Sequence, residues 1–399
     1  MKARNILLGL AAGAAAGYAA ARAYEAVRIV RDSEPAARRR DAAAYGALRR
    51  ALSVTGIARS LAGSAALAYG PVGKRLERSV RALPPWLRAS AFVAQVSALE
   101  AFIELPVDFV EGHAVERRFG LSEQSAASWL ADYGKQSALG GAVAAGLSGI
   151  LSAVLRRFPN SWPYVSSVGV FPLLLLANIV IPLYVLPMFN TYEPLTGPLE
   201  ERLRRLAARY GVGDAEILRM NMSKQTKKAN AFVIGIGNTH RIVVGDTLIE
   251  HFPEEEIEFV VAHELGHYVS RDTWRMIAIG QVTATAVLFG AFAALRQAQD
   301  DEARAQDDEG SALKLARIQL WATLLSQVLR PALSAFARSR EWAADRFALE
   351  TTRAPHVGAS AFRRLRDQNL AEDEQPAWYE FIFSTHPSLK ARIEALENA

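Results

Sequence analysis

His263-Glu264-Leu265-Gly266-His267 decides how the rest of the chain is read. On a helix, residues four apart share one face. His263 and His267 can therefore set two imidazole nitrogens on one metal ion, at about 2.0–2.1 Å each. Glu264, next to the first histidine, stands where a general base can reach an attacking water. The flanks predict a helix over residues 253–270. Pro253 suits a first helical position, and Glu254, Glu255 and Glu256 suit the positive end of the helix dipole. Ile257, Phe259, Val260, Val261 and Ala262 supply apolar surface for burial.

Two imidazoles do not complete a catalytic zinc site, which takes three protein ligands and leaves one position open. The chain has no cysteine, so the third ligand is a histidine, an aspartate or a glutamate. The absence of cysteine also excludes disulfides, a thiolate site and a cysteine nucleophile. Glu341 and Asp345 lie four apart in the helix-like run around 339–345 and share a face. Two readings stand at this level. Either Glu341 ligates while Asp345 accepts the outer N–H of a ligand histidine, or both belong to a salt-bridged face with Arg338, Arg340 and Arg346. His386, in Ser384-Thr385-His386-Pro387, is either a loop residue satisfied by backbone or a donor to the oxyanion of a tetrahedral intermediate. His113, His240, His251 and His356 lack ligand spacing and read as structural or surface residues.

The 399 residues are 51% hydrophobic and only 22% charged, which is apolar for a soluble enzyme and points to membrane-embedded parts. The net charge of +5 fits Arg and Lys flanking membrane spans. No basic stripe is interleaved with aromatics, so nucleic acid is not an expected partner. Apolar runs at 5–21, 53–70, 89–107, 137–155 and 164–188 are candidate spans; the last is the strongest and tolerates Pro172, Pro182 and Pro187. Glu100 and Glu104 fall inside the third, and a charge at that depth is expected to turn toward protein or water. Residues 31–50 read as an exposed charged helix or loop.

From residue 190 the chain takes on soluble character. Leu203, Leu206, Ala207 and Tyr210 mark a helix over 199–210 that stops at Gly211. Residues 217–222 suit a short strand, and 230–235 with 241–245 suit a hairpin turning at Ile236-Gly237-Asn238-Thr239. Residues 275–295 and 313–336 are expected as a second membrane pair. The acidic repeat Ala298-Gln299-Asp300-Asp301-Glu302, Ala305-Gln306-Asp307-Asp308-Glu309 joins them as a solvated turn. Arg271 and Arg275 before the pair, and Arg338 and Arg340 after it, argue for a cytoplasmic metal domain. The expected division is a multi-span region at 1–189, a metal domain split between 190–273 and 337–399, and a helix pair at 274–336.

These pieces resemble the integral-membrane zinc metalloendopeptidases typified by the type-I CAAX prenyl endopeptidase, with the HtpX heat-shock protease as a cousin. The resemblance covers about residues 90–399. It rests on Asn230-Ala231-Phe232, the segment from Arg241 through Asp246 to Leu248, the His263 to His267 motif followed by Asp272, the run over 339–348, and His386-Pro387 with Arg392. Upstream, the stretch from Glu116 through Phe119, Gly120, Ser122 and Gln124 to Ser125, and Asn190 through Pro194 to Leu195, look like the CAAX branch. The short, Ala-rich N-terminal runs depart from the family's seven spans and intramembrane chamber.

The resemblance implies a mainly α fold: a multi-span helical membrane domain with a zincin-like (gluzincin) metalloprotease domain containing a small β-hairpin or sheet. It implies one Zn2+ per chain on His263, His267 and Glu341, with Glu264 as general base and Asp345 supporting a ligand. His386 and Arg392 would stabilise the transition state or position substrate. Asn230, Ala231 and Phe232 would pair with substrate backbone by β-augmentation. The expected partners are the lipid bilayer and a peptide or protein substrate, CAAX-type and prenylated or otherwise membrane-associated. An HtpX-like role in membrane-protein quality control is the alternative, and a non-catalytic protein with a structural metal is the rival of another class. The membrane is the cytoplasmic one in a prokaryote, which the Ala/Arg-rich composition suggests, and the endoplasmic reticulum in a eukaryote.

Overall fold

The computed structural model describes residues 42–235, 240–302 and 311–399. The apolar run at 5–21, the charged residues up to 41, the turn at 236–239 and the acidic stretch at 303–309 lie outside the described residues.

The amino-terminal half is a layer of long helices: α1 (Ala42–Tyr69), α2 (Pro71–Val80), α3 (Pro85–Phe109), α4 (Ala126–Arg157) and α5 (Trp162–Val180). A π-turn at Val110–Ala114 and a last turn to Arg118 prolong α3, while α5 continues irregularly to Met188 past Pro182 and Pro187. Each proline removes a backbone donor; Pro182 sits in a widened π-turn and Pro187 in a tightened 3-10 turn. Ser125 starts α4, its hydroxyl accepting from the Ser128 N–H at 3.2 Å. Among the described residues, five helices are long and apolar enough to cross a membrane: Ala42–Tyr69, Pro85–Arg118, Ala126–Arg157, Trp162–Met188 and Asp272–Arg296. Glu104 pairs with Arg59 of α1 at 2.8 Å, whereas Glu100 is exposed.

The carboxy-terminal half holds β1 (Tyr192–Pro194), α6 (Pro198–Ala208), β2 (Glu216–Met220), β3 (Ala231–Ile234), β4 (Arg241–Gly245), α7 (Asp246–His251) and α8 (Glu254–Val269). After these come α9 (Asp272–Glu302), α10 (Ser311–Thr352), α11 (Pro355–Asn369), α12 (Ala377–Phe383) and α13 (Leu389–Glu397). The sheet order is β1-β2-β4-β3, with β2 and β4 parallel and the other two pairs antiparallel. β3 and β4 form the expected hairpin, and β3 is an edge strand. Leu203, Leu206, Ile217, Ile242, Val244, Phe259, Val261, Leu265, Ala348 and Phe362 share one core between sheet and helices.

α8 closely follows the helix expected over 253–270, except that Pro253 precedes it with ψ 150, so the first helical residue is Glu254. Glu256 is not a solvated dipole charge. It is buried, accepting from Ser360 Oγ at 2.6 Å and Arg364 Nε at 2.8 Å, and it ties α8 to α11. The largest departure is α10. The run at 313–336 is not among the five apolar helices above; it carries Lys314, Arg317, Gln319, Gln327 and Arg330. Its Ala312, Ala316 and Leu320 pack with Ala68, Val80 and Phe92 of the amino-terminal half. The helix then continues unbroken through Pro331 to Thr352. At about 1.5 Å per residue, such a helix is roughly 60 Å long, and its far end reaches the carboxy-terminal core at Ala348.

Candidate metal centre

α8 and α10 cross where a glycine permits it. A Cβ on Gly266 would stand 3.1 Å from the Ala344 Cα and 3.1 Å from the Phe347 ring, so a larger residue would hold the helices apart. This approach sets Glu341 of α10 against both histidines of α8. Glu341 Oε2 lies 3.4 Å from His263 Nε2, and Glu341 Oε1 lies 3.3 Å from His267 Nε2. One ligand atom from each of the three falls within 4.8 Å of the others. Glu341 is therefore turned into the cluster rather than toward the arginines of its own helix. Arg340 bonds Asp272, and Arg338 donates to the Glu380 and Ser384 carbonyls.

The outer nitrogens are held by carboxylates. His263 Nδ1 is 2.8 Å from Asp345 Oδ1, and His267 Nδ1 is 3.0 Å from Asp272 Oδ2. A Nδ1–H donated outward leaves each Nε2 lone pair aimed inward. Asp345 is itself gripped by Arg392 of α13, which donates from Nη2 at 2.6 Å and Nε at 2.8 Å. Burial disfavours ionised Asp345, but the bonds from His263 and Arg392 outweigh it and hold the carboxyl below the usual carboxylate range. Arg392 also stacks over Phe362, with its guanidinium carbon 4.2 Å from the ring centre. Arg392 thus touches Asp345 most tightly and Glu341 only at 3.6 Å.

The donor set fits a divalent metal on a feature of the protein itself. Buried Glu341 Oε2 has no hydrogen-bond donor among the described residues. A buried carboxylate oxygen without a donor is costly; Arg392 Nη1 stays 3.6 Å from it, and a metal shared with the two imidazoles would satisfy it. Two imidazoles and a carboxylate, with no thiolate, match the ligand types of catalytic zinc.

A cavity of about 520 Å³ opens on this cluster. Glu264 lines it, and burial pushes the Glu264 carboxyl above the ordinary carboxylate range. His386 stands at its rim, exposed, with Nε2 3.4 Å from Glu341 Oε1 and Nδ1 3.0 Å from the Thr385 hydroxyl. Asn230 and Ala231, at the start of β3, also line the cavity. The Phe232 side chain is not brought there; it packs with Leu218, Met220 and Val243 on the other face of the sheet. Two partners escaped the site assignment made from the sequence. Asp272 was part of the motif that carries the resemblance, but no role was assigned to it. The left-handed Arg271 (φ 56) ends α8 and swings Asp272 back onto His267. Arg340, read from the sequence as a candidate partner of Glu341 and Asp345, instead bonds Asp272.

Comparison with known proteins places this geometry in a family. The model of peptidase family M48 matches residues 195–399, just over half of the chain. A second model, described as the CAAX prenyl protease N-terminal region with five membrane helices, matches residues 33–191. The metalloprotease YhfN of Bacillus subtilis, itself uncharacterized, is 25% identical over 332 residues, 82% of this chain and 78% of that one. A CAAX prenyl protease 1 homolog of Oryza sativa is 28% identical over 322 residues, 78% of this chain and 74% of that one. The crystal structure of S. mikatae Ste24p superposes with a TM-score of 0.80 at 19% identity, covering 98% of both chains, and so shares the fold. The chain belongs to peptidase family M48 and is an integral-membrane metalloprotease.

Proposed function

We propose that this chain is a zinc-dependent endopeptidase that cleaves near the C-terminus of CAAX-type, prenylated substrates at the membrane. The observation that carries the reading is the convergence of His263 Nε2, His267 Nε2 and Glu341 beside Glu264, on a cavity walled by a free strand edge. The substrate class is supported by the amino-terminal match to CAAX prenyl proteases and by the names of relatives. A structural metal needs neither an open cavity nor Glu264. We divide the chain into a membrane region up to 189 and a metalloprotease domain formed by 190–273 and 337–399. The pair over 274–336 joins them through α9 and α10. The arginines at the ends of that pair support a cytoplasmic orientation.

A zinc ion held by His263, His267 and Glu341 supplies Lewis-acid polarisation of the scissile carbonyl and acidifies water. Glu264 takes a proton from the attacking water on its carboxylate and delivers it to the leaving amine. His386, at the rim, donates from Nε2 to the oxygen that gains charge in the transition state. Asp345 and Asp272 hold the outer nitrogens of the two histidines, and Arg392 keeps Asp345 ionised and oriented. Ala231 and Val233 present backbone groups to an extended peptide, whereas Asn230 and Phe232, expected to share that role, turn theirs toward β4.

The test uses purified protein in detergent. One zinc per chain, loss of hydrolysis on chelation and recovery with added Zn2+ are expected. Farnesylated peptides ending in a CAAX sequence should be cleaved faster than unmodified ones. Equal cleavage of both sets the prenyl requirement aside, and full activity after complete metal removal rejects the mechanism.

A further inference from the structure

The chain entering β3 alternates its backbone groups between two sides. The Lys228 carbonyl accepts from Thr247 Oγ1 at 2.8 Å and the Asn230 carbonyl accepts from the Gly245 N–H at 3.0 Å, both toward β4 and α7. The intervening residues face α11. The Lys227 carbonyl accepts from Gln368 Nε2 at 2.6 Å. The Ala229 N–H donates to Asn369 Oδ1 at 2.7 Å, and the Ala229 carbonyl accepts from Asn369 Nδ2 at 3.1 Å. Successive residues of a strand alternate sides, so the N–H and C=O groups of Ala231 and Val233 lie on this same edge. Among the described residues nothing pairs with them there.

Asn369 therefore does what a residue of a neighbouring strand would do. In an antiparallel ladder, one residue exchanges both an N–H and a C=O bond with its opposite, and the Asn369 amide makes both bonds to Ala229. It is held in place from both sides: it is the last residue of α11, and Leu370 follows in the left-handed region at φ 52. The edge is thus filled at Lys227 and Ala229 by Gln368 and Asn369, and it opens at Ala231, beside the metal cluster.

We propose that Asn369 is a register stop for substrate. A peptide added to β3 pairs with Ala231 and Val233, is blocked at Ala229 about 7 Å farther along, and must leave the strand direction there into the cavity. Asn369 is a specificity-determining residue: it limits how far a substrate extends along the edge on that side. The proposal rests on the reading of β3 as the strand that pairs with substrate.

The test is a scan of single amide-to-ester replacements, away from the scissile bond, in a peptide that the zinc-loaded protein cleaves at one mapped position. Each ester removes one N–H donor. In the wild type, two sensitive positions two residues apart are expected, each lowering kcat/KM by roughly fivefold to tenfold. The position two residues beyond, opposite Ala229, should be silent. In Asn369→Ala that third position becomes sensitive, and Asn369→Asp, which still accepts from the Ala229 N–H, keeps the wild-type pattern. A residue that only ties α11 to β3 would lower activity on every peptide by one factor and add no position; that result overturns the proposal. So does a third sensitive position in the wild type, a measurement that stands even where Asn369→Ala does not fold. No sensitive position at all would instead overturn the strand-pairing reading on which the proposal depends.

Discussion

Val168 of α5 is 76% exposed and Phe102 of α3 is 76% exposed, while Val261 and Phe259 of α8 are fully buried. The same residue types meet two different surroundings. In the amino-terminal half the helices leave large apolar side chains exposed, as a hydrocarbon surrounding allows. In the carboxy-terminal half the protein covers its own apolar groups, and its buried carboxylates are engaged in pairs: Glu256 with Arg364, Asp272 with Arg340 and His267, Asp345 with Arg392 and His263. Glu341 is held more loosely: Arg392 Nη1 comes no nearer than 3.6 Å to Oε2, and that oxygen has no hydrogen-bond donor among the described residues. Among these buried carboxylates it is the Glu341 oxygen, beside two histidines, that lacks a hydrogen-bond donor, and that is where a cation fits.

The contrast is sharpened most by Glu264→Gln. The substitution keeps shape and removes the base, so hydrolysis should fall by about 10²–10⁴-fold while bound zinc stays at one per chain. Unchanged turnover alongside normal metal content would remove Glu264 from the mechanism. A smaller effect is expected from Asp345→Asn and from Asp272→Asn, each of which weakens the carboxylate behind one histidine. Zinc affinity should drop by about 10–100-fold, measured by competition with a chromophoric chelator, with helical content unchanged. If affinity holds in both variants, these carboxylates do not orient the imidazoles.

Next come two glycines, one from each half. A Cβ at Gly358 of α11 would meet the Phe259 ring at 2.3 Å, whereas nothing stands within 4 Å of a Cβ at Gly140 of α4. Gly358→Ala should destabilise by about 1–3 kcal/mol through overpacking, seen as earlier thermal inactivation in detergent. Gly140→Ala should be neutral or stabilising by up to ~1 kcal/mol through helix propensity. Equal behaviour of the pair would erase the difference between a protein-packed and an outward-facing helix surface.

Much of this was legible in the chain. The His263 to His267 helix, the strong run at 164–188 and the hairpin of β3 and β4 all followed from local spacing, whereas spacing left the partner of Asp345 open. The extent of α10 was harder. Its apolar stretch and the segment holding Glu341 read as separate pieces, because the charges that begin near Arg338 resemble the end of a span. In the structure the same helix serves two cores, one at each end. Asp272 and Asn369 lay still further from sequence reasoning. One acts through a left-handed turn at Arg271, the other through a side chain that imitates a strand.

By itself the sequence determined what local periodicity controls: which segments are helical, which faces are apolar, and which histidines share a turn. The tertiary structure alone decided which carboxylate meets them, which partners lock their outer nitrogens, and where the free edge of β3 ends. Spacing acts within one element, over a few residues of backbone. The meeting of Glu341 with His263 depends on how closely two helices can approach, and that distance is set by Gly266 and the packing around it.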